Sequence, residues 1–119
     1  MYISESDKSL IRQLIEQQLQ AFKANDSETA FALTSPKIQS SCTPHNFIQE
    51  LSAEYSAIVH SRSIVFQDFT LVKNFPALVS MVMDQEGKLK KAIFVVQHQQ
   101  DYTWRVHGYE LAGINEKIV

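Results

Sequence analysis

Lys88 to Ala112, KLKKAIFVVQHQQDYTWRVHGYELA, decides how the rest of the chain must fold. It reads as two strands joined at Gln100-Asp101. The first carries Ala92-Ile93-Phe94-Val95-Val96, a β-branched and aromatic run. In the second, Tyr102, Trp104 and Val106 alternate with Thr103, Arg105 and His107. Such a hairpin has one face that other elements must cover.

Working outward, Ser63–Val72 and Ala77–Asp84 read as two more strands. Asn74-Phe75-Pro76 turns the chain between them, and Gln85-Glu86-Gly87 leads into the hairpin. Along Ser63–Val72, Ile64, Phe66 and Val72 share one parity while Val65, Phe69 and Leu71 share the other. That pattern predicts a strand covered on both faces.

Further upstream the period changes from two to three-and-four. Leu10, Ile11, Leu14, Ile15, Leu19 and Phe22 form one apolar stripe on a helix from about Glu5 to Ala24, with Ser4 or Ser6 as N-cap. Arg12, Gln13, Glu16, Gln17 and Gln20 fall largely on its other side. Asn25-Asp26 closes it, and Asp26 caps a short second helix bearing Ala30, Phe31 and Leu33. Ser35-Pro36 stops that helix, and Pro36 can begin one further turn through Ile38. Gln39–Cys42 reads as a loop or a short strand. Thr43-Pro44 starts a third helix, with Phe47, Ile48, Leu51 and Tyr55 on its apolar face.

Helices segregated from strands predict an α+β fold, not a parallel α/β sheet. Three helices should pack on one face of a curved four-stranded antiparallel meander, burying Leu14, Ile15, Phe22, Phe31, Phe47 and Leu51. The 119 residues form a single expected domain, 1–119.

Composition narrows the functional classes. The net charge is −2, and the only dense basic cluster, Lys88, Lys90 and Lys91, falls at a turn, so nucleic acid is not an expected partner. No apolar run approaches the ~20 residues that span a bilayer. The polar start MYISESDKS is unlike a signal peptide, and Cys42, the single cysteine, has no partner for an internal disulfide. A cytoplasmic protein is the expectation. No His/Cys/carboxylate spacing suits a metal, and none of the three glycines builds a phosphate loop, so no cofactor is implied.

Helices followed by a meander closing on YTWRVHGYEL resemble the nuclear-transport-factor-2-like superfamily. That cone-shaped, cystatin-like fold includes ketosteroid isomerases and SnoaL-type polyketide cyclases. Within it, AFKANDSETAFALTSPKIQ, TPHNFIQELSAEYSAI and YTWRVHGYEL are similar to a bacterial family called domain of unknown function 4864. The resemblance implies the cone-shaped fold and leaves function open.

Candidate residues are weighed on that frame. Asp68 shares parity with Ile64, Phe66 and Val72. It therefore either points into an apolar setting and acts as a base, as a carboxylate does in ketosteroid isomerase, or sits at a bulge facing water. Tyr55, Phe66, Asp68, Phe94, Tyr102 and Trp104 are the candidate lining of a ligand pocket. Arg105, His107 and Tyr109 share a parity and form a candidate interface patch. His98 pairs near Tyr102 or Thr103, away from His107, and His45 and His60 lie outside metal spacing. Cys42 beside His45 lacks an orienting third group, so a small buried hydrophobe is the simpler reading.

The favoured expectation is a non-catalytic homodimer binding a small apolar ligand or a protein partner. The alternative is an isomerase or lyase with Asp68 as base and Tyr55 or Tyr102 as polariser. A third is a purely structural module using the sheet's outer face.

Overall fold

The structure, a computed structural model, describes residues 3–114. The ends of the expected domain, residues 1–2 and 115–119, lie outside it. Five helices precede four strands: α1 (Glu5–Lys23), α2 (Ser27–Ala32), α3 (Pro36–Ser41), α4 (Pro44–Glu54), α5 (Ser56–Val59), then β1 (Ser63–Val72), β2 (Phe75–Met83), β3 (Leu89–His98) and β4 (Trp104–Gly113). The strands form one antiparallel sheet in the order β1-β2-β3-β4, as expected for a mixed α+β meander.

The expected three helices are five. Gln39–Ser41, read as loop or strand, continue the turn begun at Pro36, and α5 adds a turn before β1. Both extra pieces are one or two turns long, too short for a periodic stripe to register.

Local chemistry sets the boundaries of the longer elements. Ser4 Oγ accepts from Asp7 N at 3.0 Å while Asp7 Oδ2 accepts from Ser4 N at 3.3 Å, a reciprocal cap on α1. Asn25, with φ 55°, ends that helix in the left-handed region, and Asp26 Oδ1 accepts from Thr29 N at 3.1 Å to start α2. Thr43 caps α4 through Asn46 N, with Pro44 at the first helical position. Asp84 closes the β2–β3 turn by accepting from Glu86 N and Lys88 N, both at 2.9 Å, while Gly87 supplies φ 82°.

The core joins α1, α4 and α5 to one face of the sheet. Ile11, Leu14, Ile15, Phe22, Phe47, Leu51 and Ile58 are buried with Leu78, Val82, Phe94, Val96 and Val106. Phe31 is half-buried against them.

Two bulges correct the parities read from the sequence. Gln67 is an extra residue between the pairs Phe66–Ser80 and Asp68–Val79, so Phe69 and Leu71 join Ile64 and Phe66 on the helix side. Val72 and Asp68 go to the opposite side with Val65. β1 is not covered on both faces: Val65, on the side away from the helices, is 63% exposed. The second extra residue is His107, between Val95–Gly108 and Val96–Val106. It separates Tyr109, on the helix side, from Arg105, on the other.

Candidate functional site

The face turned away from the helices carries Thr70, Ala77, Val95 and Gly108 in one cross-strand row. Asp68, Val79, Ile93 and Glu110 form the next, and Val65, Met81, Lys91 and Ala112 the one after. Its centre is apolar and its charges stand towards the margins. Asp68 belongs to this face. It is exposed, and its Oδ1 accepts from Phe69 N at 2.8 Å. Of the two settings weighed for Asp68, the structure has the one at a bulge facing water: Gln67 reverses its parity.

The proposed interface residues do not form one patch. Tyr109 packs in the core, where its hydroxyl donates to Gln18 Oε1 at 2.7 Å; Gln18 Nε2 in turn donates to the Ala30 carbonyl at 3.1 Å. Burial holds the Tyr109 phenol far above its usual range, only partly opposed by that bond. Arg105 turns to the edge of the sheet and donates through Nη1 to the carbonyls of Ala32 (2.8 Å) and Thr34 (3.4 Å). His107 Nδ1 lies 2.8 Å from Ser35 Oγ, with its ring 4.8 Å from that of Phe75. Burial depresses its pKa, and the charge of Lys37 adds to the effect. Ser35 stands at the N-cap of α3 without capping it through its side chain, since its hydroxyl faces the imidazole.

These contacts fasten α2 and α3 to β4. Ser35 N donates to Val106 O at 2.8 Å and Val106 N to Leu33 O at 2.9 Å, so Thr34 makes a parallel bridge beside the last strand. It stands outside the four antiparallel strands.

The other five expected ligand-lining residues separate into three places. Phe94 is fully buried, and Phe66 packs half-buried against the same core. Tyr55 lines a cavity of about 220 Å³ with Cys42, Phe47 and Tyr109. Its pKa is raised by burial first, then by the charge of Glu54. Cys42 directs its thiol towards the Ile38 carbonyl at 3.6 Å. Tyr102 and Trp104 come together at the other end of the molecule. They line a cavity of about 340 Å³ with Leu10, Gln13, Leu14, Gln17, Ala32, Leu33, Thr103 and Arg105.

That cavity is built by a five-residue connection, Gln99–Thr103, longer than the two-residue turn expected. Gln99 N donates to Thr103 O, Tyr102 N donates to Gln99 O, and Asp101 Oδ1 accepts from Thr103 N and Oγ1. His98 therefore pairs with Trp104, ring centroids 4.6 Å apart. Tyr102 is 80% exposed at φ 66°, a conformation that costs a residue with a Cβ roughly 1–2 kcal/mol. Trp104 is only 9% exposed, and its buried Nε1–H has no acceptor among the described residues. Leu10, assigned to the α1 stripe, is 45% exposed and borders this space.

Gln18 and Ser35 were not anticipated. Gln18 lies four residues from both Leu14 and Phe22, so its place on the buried stripe was readable; its bond to Tyr109, across 91 residues, was not. Among the described residues no group of three or more His, Cys, Asp or Glu is placed to hold a metal, and no helix is long and apolar enough to cross a membrane. No curated protein and no solved structure matches the sequence. A family model described as domain of unknown function (DUF4864) matches residues 4–118, and the chain belongs to that family.

Proposed function

We propose that the protein is a non-catalytic binding module that pairs as a homodimer through the outer face of its sheet. The observation that carries this is the half-exposed apolar centre of that face, Val79, Met81 and Ile93, with Asp68, Glu110 and Lys91 around it. Apolar centre and polar rim are the anatomy of a protein interface. Four strands about 4.8 Å apart and ten residues long give a footprint of roughly 20 by 30 Å. That is comparable with the ~800 Å² each partner contributes to a standard interface. A two-fold pairing brings the same patch from each copy together.

In this reading the chain adopts the cystatin-like cone of the nuclear-transport-factor-2-like superfamily, with the bulges at Gln67 and His107 supplying the curvature. It acts in the cytoplasm, where an unpaired cysteine stays reduced. A small apolar ligand or a protein partner is its object. The isomerase or lyase reading loses support from the placement of Asp68, which faces solvent away from Tyr55 and Tyr102.

Sedimentation equilibrium tests the reading. The native chain should run at twice its 13.6 kDa mass at high micromolar concentration, and Ile93→Glu should run as a folded monomer. A native monomer at that concentration would overturn the dimer.

A further inference from the structure

The cavity beside Trp104 has a chemistry of its own. Leu10 and Leu14 from α1, Leu33 after α2 and the Tyr102 ring give it apolar walls. Its polar groups are Gln13, Gln17, Thr103, Trp104 and Arg105; among the described residues no carboxylate lines it, and Arg105 carries the only formal charge there. Its hydrogen bonds use Nη1 alone, so Nε and Nη2 remain available among the described residues. The nearby Asp101 carboxylate accepts from Thr103, 2.6 Å from Oγ1 and 3.1 Å from N, and its charge is also favoured by Arg105, with no hydrogen bond between the two among the described residues. Trp104 Nε1–H is the other uncommitted donor, and a buried donor without an acceptor is rare enough in native proteins to require an explanation. Tyr102 is a second anomaly, an aromatic ring held out to solvent on a strained backbone.

The geometry points to this cavity as the binding site of a small carboxylate with an apolar body. The carboxylate oxygens accept from Arg105, and the body lies between Leu10, Leu14 and Leu33 against the Trp104 and Tyr102 rings. A guanidinium with two free donor positions suits a planar carboxylate. A volume of about 340 Å³ is at the small end of ligand pockets, about 300–1,000 Å³, so the ligand is correspondingly compact. The inference rests on the reading of the domain as a binding module and names its ligand class; it does not depend on the dimer.

Trp104 is the only tryptophan, so one indole resonance in a ¹⁵N-labelled sample reports directly on the site. Phenylacetate should shift that resonance saturably. Its neutral isostere phenylacetamide should bind at least about tenfold more weakly, and phenethylamine more weakly still, the scale expected for one charge-assisted hydrogen bond. Gln13→Glu, an isosteric change at an exposed position of α1, should weaken phenylacetate by about tenfold or more and phenylacetamide by less than about twofold. Absence of a saturable response to phenylacetate, or equal binding of acid, amide and amine, overturns the carboxylate site. The comparison of ligands on the native chain stands even if the variant fails to fold. A dimer mass with a silent indole would sink this inference alone, and a monomer with the predicted ligand order would sink the dimer alone.

Discussion

The hydrogen bond between buried Gln18 and the enclosed hydroxyl of half-buried Tyr109 is a different object from a surface pair, because neither polar group is open to water. Gln18 Nε2 and Oε1 are both committed, to Ala30 and to Tyr109. Gln18→Leu should therefore destabilise the fold by about 1–3 kcal/mol, since it orphans the phenol. Tyr109→Phe added to that variant should recover part of the loss, because both polar groups are then gone. Urea unfolding of Gln18→Leu, Tyr109→Phe and the double variant measures the coupling; strictly additive losses would show that the two residues act separately. His107 provides a pH signature. Its folded pKa lies below the ordinary imidazole value of 6.5, so between the two the unfolded chain binds more protons. Stability should thus be complete above about pH 6.5, fall as the pH drops through the folded value, and then level off for this group. His107→Gln should flatten that part of the pH–stability curve.

At the scale of the element, the bulges decide which reading of a strand is right. Asp68 sits immediately after Gln67 on the outer face, so Asp68→Asn should change stability by no more than about 0.5 kcal/mol. A loss above that in chemical denaturation would mean that the carboxylate has a structural partner. The strands themselves were legible: Ser63–Val72 has the same bounds in sequence and structure, because a run of alternating apolar residues ended by Lys73-Asn74 leaves little choice. Which side each residue faced was not. One inserted residue reverses every later position, and nothing in the composition of Phe66-Gln67-Asp68 or Val106-His107-Gly108 marks the insertion. The same effect dissolved the patch expected from Arg105, His107 and Tyr109. Tyr102 and Trp104 were recognised as candidate lining residues, but the Leu10 side of their cavity was hidden, since a stripe assigns a residue to the core without showing where the core ends.

For the molecule as a whole, dimerisation through the sheet would make stability depend on concentration, because folding would then be linked to association. The midpoint of thermal unfolding should rise with protein concentration in the native chain and stay constant in Ile93→Glu. A constant midpoint in both would argue against a dimer that contributes to folding. The bridge that lays Leu33–Ser35 beside Val106 has a further consequence, for the order of events during synthesis. The peptide groups of Leu33 and Ser35, the Ser35 hydroxyl and the phenol-binding side of Gln18 all find their partners in the last strand. At ribosomal rates of about 5–20 residues per second, roughly 4–14 s separate the appearance of Ser35 from that of Val106. During that interval the N-terminal helices exist without the strand that completes them, and their apolar faces are open to chaperones or to other nascent chains. Helices α1 to α3 are thus completed only by β4, and a ribosome stalled at the β3–β4 turn would display a domain that cannot close.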